Sequence, residues 1–315
     1  MDGVAVTRTQ APLLVIVGST ATGKTDLTLA LARELSVEVV VADSRQVYRG
    51  MDIGTAKPDV AAQAIARHHL IDLVAPDAPF SVADWVAAAR EVIPHIDARG
   101  SLPLIVGGTG LYVSALLDGY DLASVPPSPE LRDALQQVLA TEGLAALAAR
   151  LVAIDPEAGQ RVDRSNPRRL IRAIERGGQR ARENRPWTGR AAVIGLHRPR
   201  AVLDARINAR AEALFAGGLL DEVGTLMAAG YGEQSAPMSG HGYGEAARHL
   251  AGEWSLERAV EVTARRTRQY ARRQETWFRR DARITWLELE DRPADEPAVV
   301  AAARAVADEL LAPQG

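Results

Sequence analysis

The chain has 315 residues, 47% hydrophobic and 24% charged, with a net charge of −3. That is enough for one large α/β domain with an appended piece, and no apolar run approaches the roughly 18 residues of a membrane span. With no cysteine, disulfides, thiolate catalysis and cysteine zinc sites are excluded, and an intracellular, cytoplasmic protein is expected.

Residues 1–18, MDGVAVTRTQAPLLVIVG, hold only a short apolar run and no small-residue cleavage pattern, so no secretory leader is expected. LLVIV at 13–17 reads as a buried strand that runs into Gly18-Ser19-Thr20-Ala21-Thr22-Gly23-Lys24-Thr25. This is the G-x-x-x-x-G-K-T spacing of a phosphate-cradling loop. Its glycines let successive backbone N–H groups converge on phosphate oxygens, Lys24 neutralises charge, and Thr25 offers a hydroxyl to Mg²⁺. The next helix, Thr25 to Leu35, has Leu27, Leu31 and Leu35 at helical spacing and aims its positive end at the same place. Of 37 basic residues only Lys24 and Lys57 are lysine. A slim, flexible point charge fits beneath a backbone nest where a planar guanidinium does not.

VEVVVADS is a second buried strand, ending at Asp43-Ser44. At that strand tip, on the carboxyl edge of the sheet, Asp43 faces the ligand crevice. It is a candidate magnesium acid, general base, or helix cap with Ser44. Residues 58–70 read as a helix and HHLIDLV as a short strand. Ser81 starts another helix with Trp85, Ala89 and Ile93 on one side. SLPLIVGGTGLY is a third strand running into a Gly-rich turn that carries Thr109. An ordinary P-loop NTPase places a magnesium-organising Asp on such a strand end; here the strand ends Gly-Gly-Thr-Gly. The alternation of strands and helices predicts a parallel sheet with right-handed crossovers.

The rhythm breaks after Asp118. DGYDLASVPPSPE is a Pro/Ser-rich connection, followed by helical patterns at Leu131, Leu135 and Leu139, then at Leu144, Leu147 and Leu151. They continue through Arg176 and the GGQRARENRPWTG loop, and AAVIGLHRPR restores a strand pattern. The predicted fold is α/β: a P-loop NTPase-like parallel sheet flanked by helices, residues 1–118 and 191–315, with a helical insertion domain at 119–190.

Charge is segregated. Residues 161–200 carry a local +9 and residues 258–283 a local +6, all the cations being Arg, which leaves −18 on the remainder. Such basic regions suit a polyanionic partner or form solvated helical faces. In SNPRRLIRAIER, Asn166 can cap and Pro167 open a helix, with Arg168, Arg172 and Arg176 on one face and Arg169 beside them. In the C-terminal helix Arg265, Arg268, Arg272 and Arg279 share a face, with Arg266, Arg273 and Arg280 adjoining. Tyr270 and Trp277 are assigned to the opposite, apolar side. The six histidines show no metal spacing, and His68-His69 reads as structural.

The block DSRQVYRGMDIGTAKP at 43–58 resembles the tRNA dimethylallyltransferase (tRNA isopentenyltransferase) family. GSTATGKT, LPLIVGGTGLY, NPRRLIRAIE and RRTRQYARRQETWFRRD are similar to further motifs of that family, in its order, over about residues 12–290. The resemblance implies transfer of a dimethylallyl group from dimethylallyl diphosphate to N6 of the adenosine just 3′ of the anticodon. Diphosphate is then the leaving group, and no magnesium acid is needed on the third strand. Asp43 becomes the general base, Thr109 orients N6, and Gly18 to Thr25 with Arg206 hold the diphosphate, Arg210 being the alternative one helical turn on. Mg²⁺ would sit on Thr25. Contacts to the tRNA anticodon stem-loop are implied for Asp43, Ser44, Arg45, Gln46 and Thr109. Arg132, Pro167, Arg168, Arg169, Leu170 and Arg172 join them in the insertion, and Gly242, Tyr243, Arg272 and Arg273 near the C-terminus. Gly244 stands where a basic or polar residue is expected, and without cysteine a eukaryotic-type zinc finger is excluded, so the chain looks like the compact bacterial type and is expected to be a monomer. The alternatives are an enzyme that prenylates free adenine nucleotides and a P-loop ATPase or nucleic-acid-binding module.

Overall fold

The computed structural model describes residues 10–120, 128–177, 184–232, 235 and 237–313. The residues read for a leader at 1–9, the connection at 121–127 and residues 178–183 with Arg180 and Arg182 lie outside the described residues. The chain divides into two compact units, Met1–Leu117 with Trp187–Gly315, and Asp118–Pro186. Re-entry into the first unit therefore comes at Trp187, whose indole donates to the Ala11 carbonyl at 3.1 Å.

The first unit is built on a parallel sheet. In chain order it runs β1 (Leu13–Gly18), α1 (Lys24–Ala32), β2 (Val37–Val41), α2 (Val60–Ile65), β3 (His68–His69), α3 (Val82–Ala98), β4 (Leu102–Gly107) and α4 (Gly110–Asp118). The second unit supplies α5 (Pro129–Glu142), α6 (Leu144–Ile154), α7 (Pro156–Arg161) and α8 (Pro167–Arg176). The first unit resumes with β5 (Ala191–His197), α9 (Arg200–Ala216), α10 (Leu219–Ala228), α11 (Tyr243–Leu250), α12 (Leu256–Phe278), β6 (Ile284–Glu288) and α13 (Pro297–Leu311). The strand order is β3-β2-β4-β1-β5-β6, every pairing parallel.

Both faces of the sheet are buried, which is why its strands read as unbroken apolar runs. Alternate residues of β1 divide between two cores. Leu13, Val15 and Val17 pack with Trp85, Ile93, Tyr112 and Leu219, whereas Leu14 and Ile16 pack with Leu27, Leu31, Val300 and Ala303. Burial of one such aliphatic side chain contributes about 1.5–3 kcal/mol. Trp85 stacks on Tyr112 with centroids 4.9 Å apart and donates its indole N–H to the Val41 carbonyl. The predicted helix over 58–70 is corrected. Asp59 caps a helix that stops at Ile65, the chain turns extended at Ala66, and His68-His69 pairs with Val39 and Val40 as an edge strand. His69 is held there by a 2.7 Å contact with Glu38, so its role is structural.

The second unit has its own core of Leu135, Val138, Leu147, Leu151, Leu170, Ile171 and Ile174. Its helices are set by capping: Ser128 accepts from Leu131 N–H, Asp155 from Ala158 N–H, and Asn166 from Arg169 N–H. Pro167 opens α8, and Gly177, with φ of 56°, ends it.

Candidate active site at the carboxyl ends of the strands

The loop between β1 and α1 lies at the centre of the sheet, because β1 is flanked by β4 and β5. Ligand crevices in open α/β sheets form at these carboxyl ends. Gly23 has φ of +103°, a left-handed geometry natural to glycine, and a Cβ there would strike Ala294. Thr22 Oγ1 donates to Ser19 O at 2.9 Å, while Lys24 Nζ donates to Gly18 O at 3.0 Å and Ser19 O at 2.8 Å. Burial pushes the Lys24 pKa down to about 8, the Arg210 cation adding to the effect and Asp43 opposing it. Burial also lowers the Arg210 pKa, again against Asp43. Lys24, Arg210 and Asp43 thus form one electrostatic cluster, two cations and one carboxylate at the mouth of the loop.

Asp43 follows β2 and turns back on the chain, its Oδ1 accepting the Arg45 N–H at 2.8 Å. Thr109 follows β4, and its hydroxyl accepts the Ser44 N–H at 3.1 Å. The Tyr270 phenol, from α12, lies near the same threonine. Burial and the Asp43 charge push the Tyr270 pKa up to about 12, so the phenol keeps its proton. Tyr270 is therefore not simply core, as its place among the aromatics of α12 suggested; it faces the two strand tips. The His241 ring lies 5.3 Å from the Tyr270 ring. Burial, with the cations Arg266, Arg273 and Arg45 outweighing Glu245, pushes its pKa down to about 4, so the imidazole there is neutral.

The other expected site residues are distributed as follows. Arg206 Nε donates to the Ala21 carbonyl at 2.9 Å and so holds the loop's backbone. Arg210, one helical turn on, is the arginine that shares the cluster with Lys24 and Asp43. Thr25 is exposed at the first turn of α1. Arg45 reaches Ser239 Oγ at 3.2 Å, and the Gln46 amide nitrogen donates to the Thr55 and Ala56 carbonyls, at 3.1 and 3.2 Å. Gln46 therefore buttresses its own loop. Arg272 and Arg273 are exposed on α12, the Arg273 guanidinium 5.7 Å from the Tyr270 ring.

Tyr243 needs correction as a tRNA contact. Only 1% of it is exposed, and its hydroxyl donates to Glu222 Oε1 at 2.6 Å. Glu222 also accepts the N–H groups of Asp52, Ile53 and Gly54, so Tyr243 closes a buried brace on the 43–58 segment. Gly242, with φ of 96°, caps α11, and Gly244 is buried within it. In the second unit Arg168 and Arg169 are exposed. Arg132 grips Glu175 with two 3.0 Å bonds and Arg172 reaches it at 3.2 Å. Leu170 is buried, so its side chain serves the core rather than a ligand.

The residue most clearly missed from sequence is Gln274, which bonds both Thr20 N and Gly108 O from α12. The available signal was its spacing: Ala271, Gln274 and Phe278 are buried at i, i+3 and i+7, a polar residue on the apolar side of the helix.

Residues 46–281 match the family described as IPP transferase. The chain belongs to this family. A tRNA dimethylallyltransferase of Chloroflexus aggregans is 47% identical over 274 residues, 85% of this chain and 93% of the relative. One of Roseiflexus castenholzii is 47% identical over 303 residues, 94% of this chain and 97% of the relative. The crystal structure of a full-length tRNA isopentenylpyrophosphate transferase from Bacillus halodurans superposes with a TM-score of 0.71 at 38% identity, covering 96% of this chain and 97% of that one. The family's fold is the P-loop NTPase-like one. No helix among the described residues is long and apolar enough to cross a membrane.

Proposed function

We propose that this protein transfers a dimethylallyl group from dimethylallyl diphosphate to N6 of the adenosine 3′ of the anticodon in tRNA, releasing diphosphate. The observation that carries the reading is that Asp43, Thr109 and the phosphate loop follow three adjacent parallel strands, β2, β4 and β1, at their carboxyl ends, with Thr109 accepting the Ser44 N–H. The amine nitrogen attacks the allylic carbon, the C–O bond to the diphosphate breaks, and its electron pair leaves with the diphosphate. The amine proton passes to the Asp43 carboxylate acting as general base. Lys24 and Arg210 stabilise the charge that develops on the leaving group, and the Thr109 hydroxyl orients N6.

Among the described residues no group of three or more His, Asp or Glu is arranged to hold a metal ion. That fits Mg²⁺, which is held largely by substrate phosphates and one or two protein oxygens. Thr25 would be its protein ligand, and the ion would neutralise diphosphate charge. The exposure of Arg168 and Arg169 in one unit, and of Arg272 and Arg273 in the other, supports contacts to tRNA phosphates; such contacts set position, not sequence. As a base-modifying enzyme it acts on an unstacked nucleotide, and a tRNA substrate supports a cytoplasmic location. Incubation with labelled dimethylallyl diphosphate and either tRNA or AMP tests the reading. Label in tRNA is expected; label in AMP alone, or ATP hydrolysis without transfer, would overturn it.

A further inference from the structure

Gln274 lies between the phosphate loop and the turn that carries Thr109. Its side chain, on a residue only 6% exposed, accepts the Thr20 N–H at 2.8 Å and donates to the Gly108 carbonyl at 2.8 Å. The two bonds fix the carboxamide's orientation, since reversing it would set oxygen against oxygen at Gly108 and nitrogen against N–H at Thr20. Gly108 is required for this approach: a Cβ there would come within 2.2 Å of Gln274 Nε2. One turn further along α12, Trp277 packs on Gly110 and donates to Ser114 Oγ at 3.2 Å, so the helix is seated firmly on this edge of the sheet.

The peptide group joining Ser19 to Thr20 is consequently held at both ends. Its carbonyl accepts from Lys24 Nζ and Thr22 Oγ1, and its N–H is taken by Gln274. In a loop of this type, backbone N–H groups bind the phosphate chain and the lysine spans its last two phosphates. Here the early donor at Thr20 is occupied by a buried side chain, and Lys24 is turned toward the same peptide. The donors left to a ligand are those nearer Lys24 and Thr25.

We infer that Gln274 sets the length of the phosphate chain that the loop accepts, closing its early donor so that the site is built for a diphosphate and rejects a triphosphate. This inference rests on the prenyl-transfer reading, because it explains how a phosphate loop serves a diphosphate ester. Gln274 is a positioning and specificity residue: it acts through Thr20 and Gly108 and takes no part in bond making.

The test compares pyrophosphate and ATP binding by calorimetry, with Mg²⁺, in wild type, Gln274→Ala and Gln274→Met. Methionine keeps the volume while removing both hydrogen bonds, so it decides the matter if the alanine variant is insoluble. The expected result is a fall of about tenfold in the ratio of ATP to pyrophosphate dissociation constants, the size that one unmatched buried polar group produces. A ratio equal to wild type in the soluble variants overturns the inference, even if KM for dimethylallyl diphosphate rises, because lost support alone would raise KM. Wild-type transfer of label to tRNA is scored separately. If that fails, the prenyl-transfer reading falls; if it succeeds with the ratio unchanged, only the role of Gln274 falls.

Discussion

The Thr109 hydroxyl accepts the Ser44 backbone N–H at 3.1 Å, tying the tip of β4 to the tip of β2. These neighbouring strands carry the two residues assigned to the acceptor amine, Thr109 and Asp43, so one hydrogen bond fixes their separation. Tyr270, from α12, lies near the same hydroxyl. Thr109→Val keeps the shape and removes the bond to Ser44 N–H. We expect kcat to fall about tenfold, equivalent to roughly 1.4 kcal/mol, with KM for dimethylallyl diphosphate unchanged. A normal kcat would show that Thr109 merely completes a turn.

The pKa of Lys24 makes diphosphate binding depend on pH. Its pKa in the folded protein, about 8, lies below its ordinary value of 10.5. Between these two values the unfolded chain holds a proton that the folded chain has lost, so this group's contribution to stability rises with pH across that window. For the ligand the sign is opposite, since an anion prefers charged Lys24. Pyrophosphate affinity should therefore fall as pH rises above about 8, approaching tenfold per unit. Calorimetry between pH 7 and 9.5 measures this, and Lys24→Met should remove the dependence. A flat wild-type profile would contradict the cluster of Lys24, Arg210 and Asp43.

Tyr243 supports a loop rather than touching a ligand. Tyr243→Phe would remove the phenol that donates to the Glu222 carboxylate. A loss of about 1–3 kcal/mol in urea unfolding is expected, with the dissociation constant for tRNA little changed. Wild-type stability together with weakened tRNA binding would restore Tyr243 to the interface.

Arg168 and Arg169 are exposed on α8, Arg169 lying 3.9 Å from Asp163, while Arg132 and Arg172 are engaged with Glu175. Replacing Arg168 and Arg169 by Ala should reduce the slope of log affinity against log salt by about 1.4–1.8, two phosphate contacts' worth. Titrating tRNA over a range of salt checks it; a slope equal to wild type would remove these arginines from the interface.

What was legible in the sequence was what is local. The apolar strands, the loop from Gly18 to Thr25 and the caps at Ser81 and Asn166 depend on spacings within a few residues, and the alternation of strand and helix pointed to the parallel sheet. The strand at His68-His69 was legible within HHLIDLV, but the helix before it was carried too far: the chain turns extended at Ala66 to pair with β2. The contacts of α12 were hidden for a similar reason. Sorting that helix by its arginines identified the exposed face, but Gln274 meets Thr20 across 254 residues of chain, and no periodicity encodes such a partner. Arg206 and Arg210 are equivalent by spacing; only the packing of α9 on the loop separates the residue that holds Ala21 from the one beside Lys24.

Transfer of the amine proton to Asp43 is tested by a single-turnover measurement on Asp43→Asn. Asparagine retains an oxygen for the Arg45 N–H, so the turn should persist and both substrates should still bind. With saturating labelled dimethylallyl diphosphate and tRNA, the rate of label transfer is predicted to fall by about 10²–10⁴-fold, the range of general-base contributions. A single-turnover rate equal to wild type would contradict the assignment.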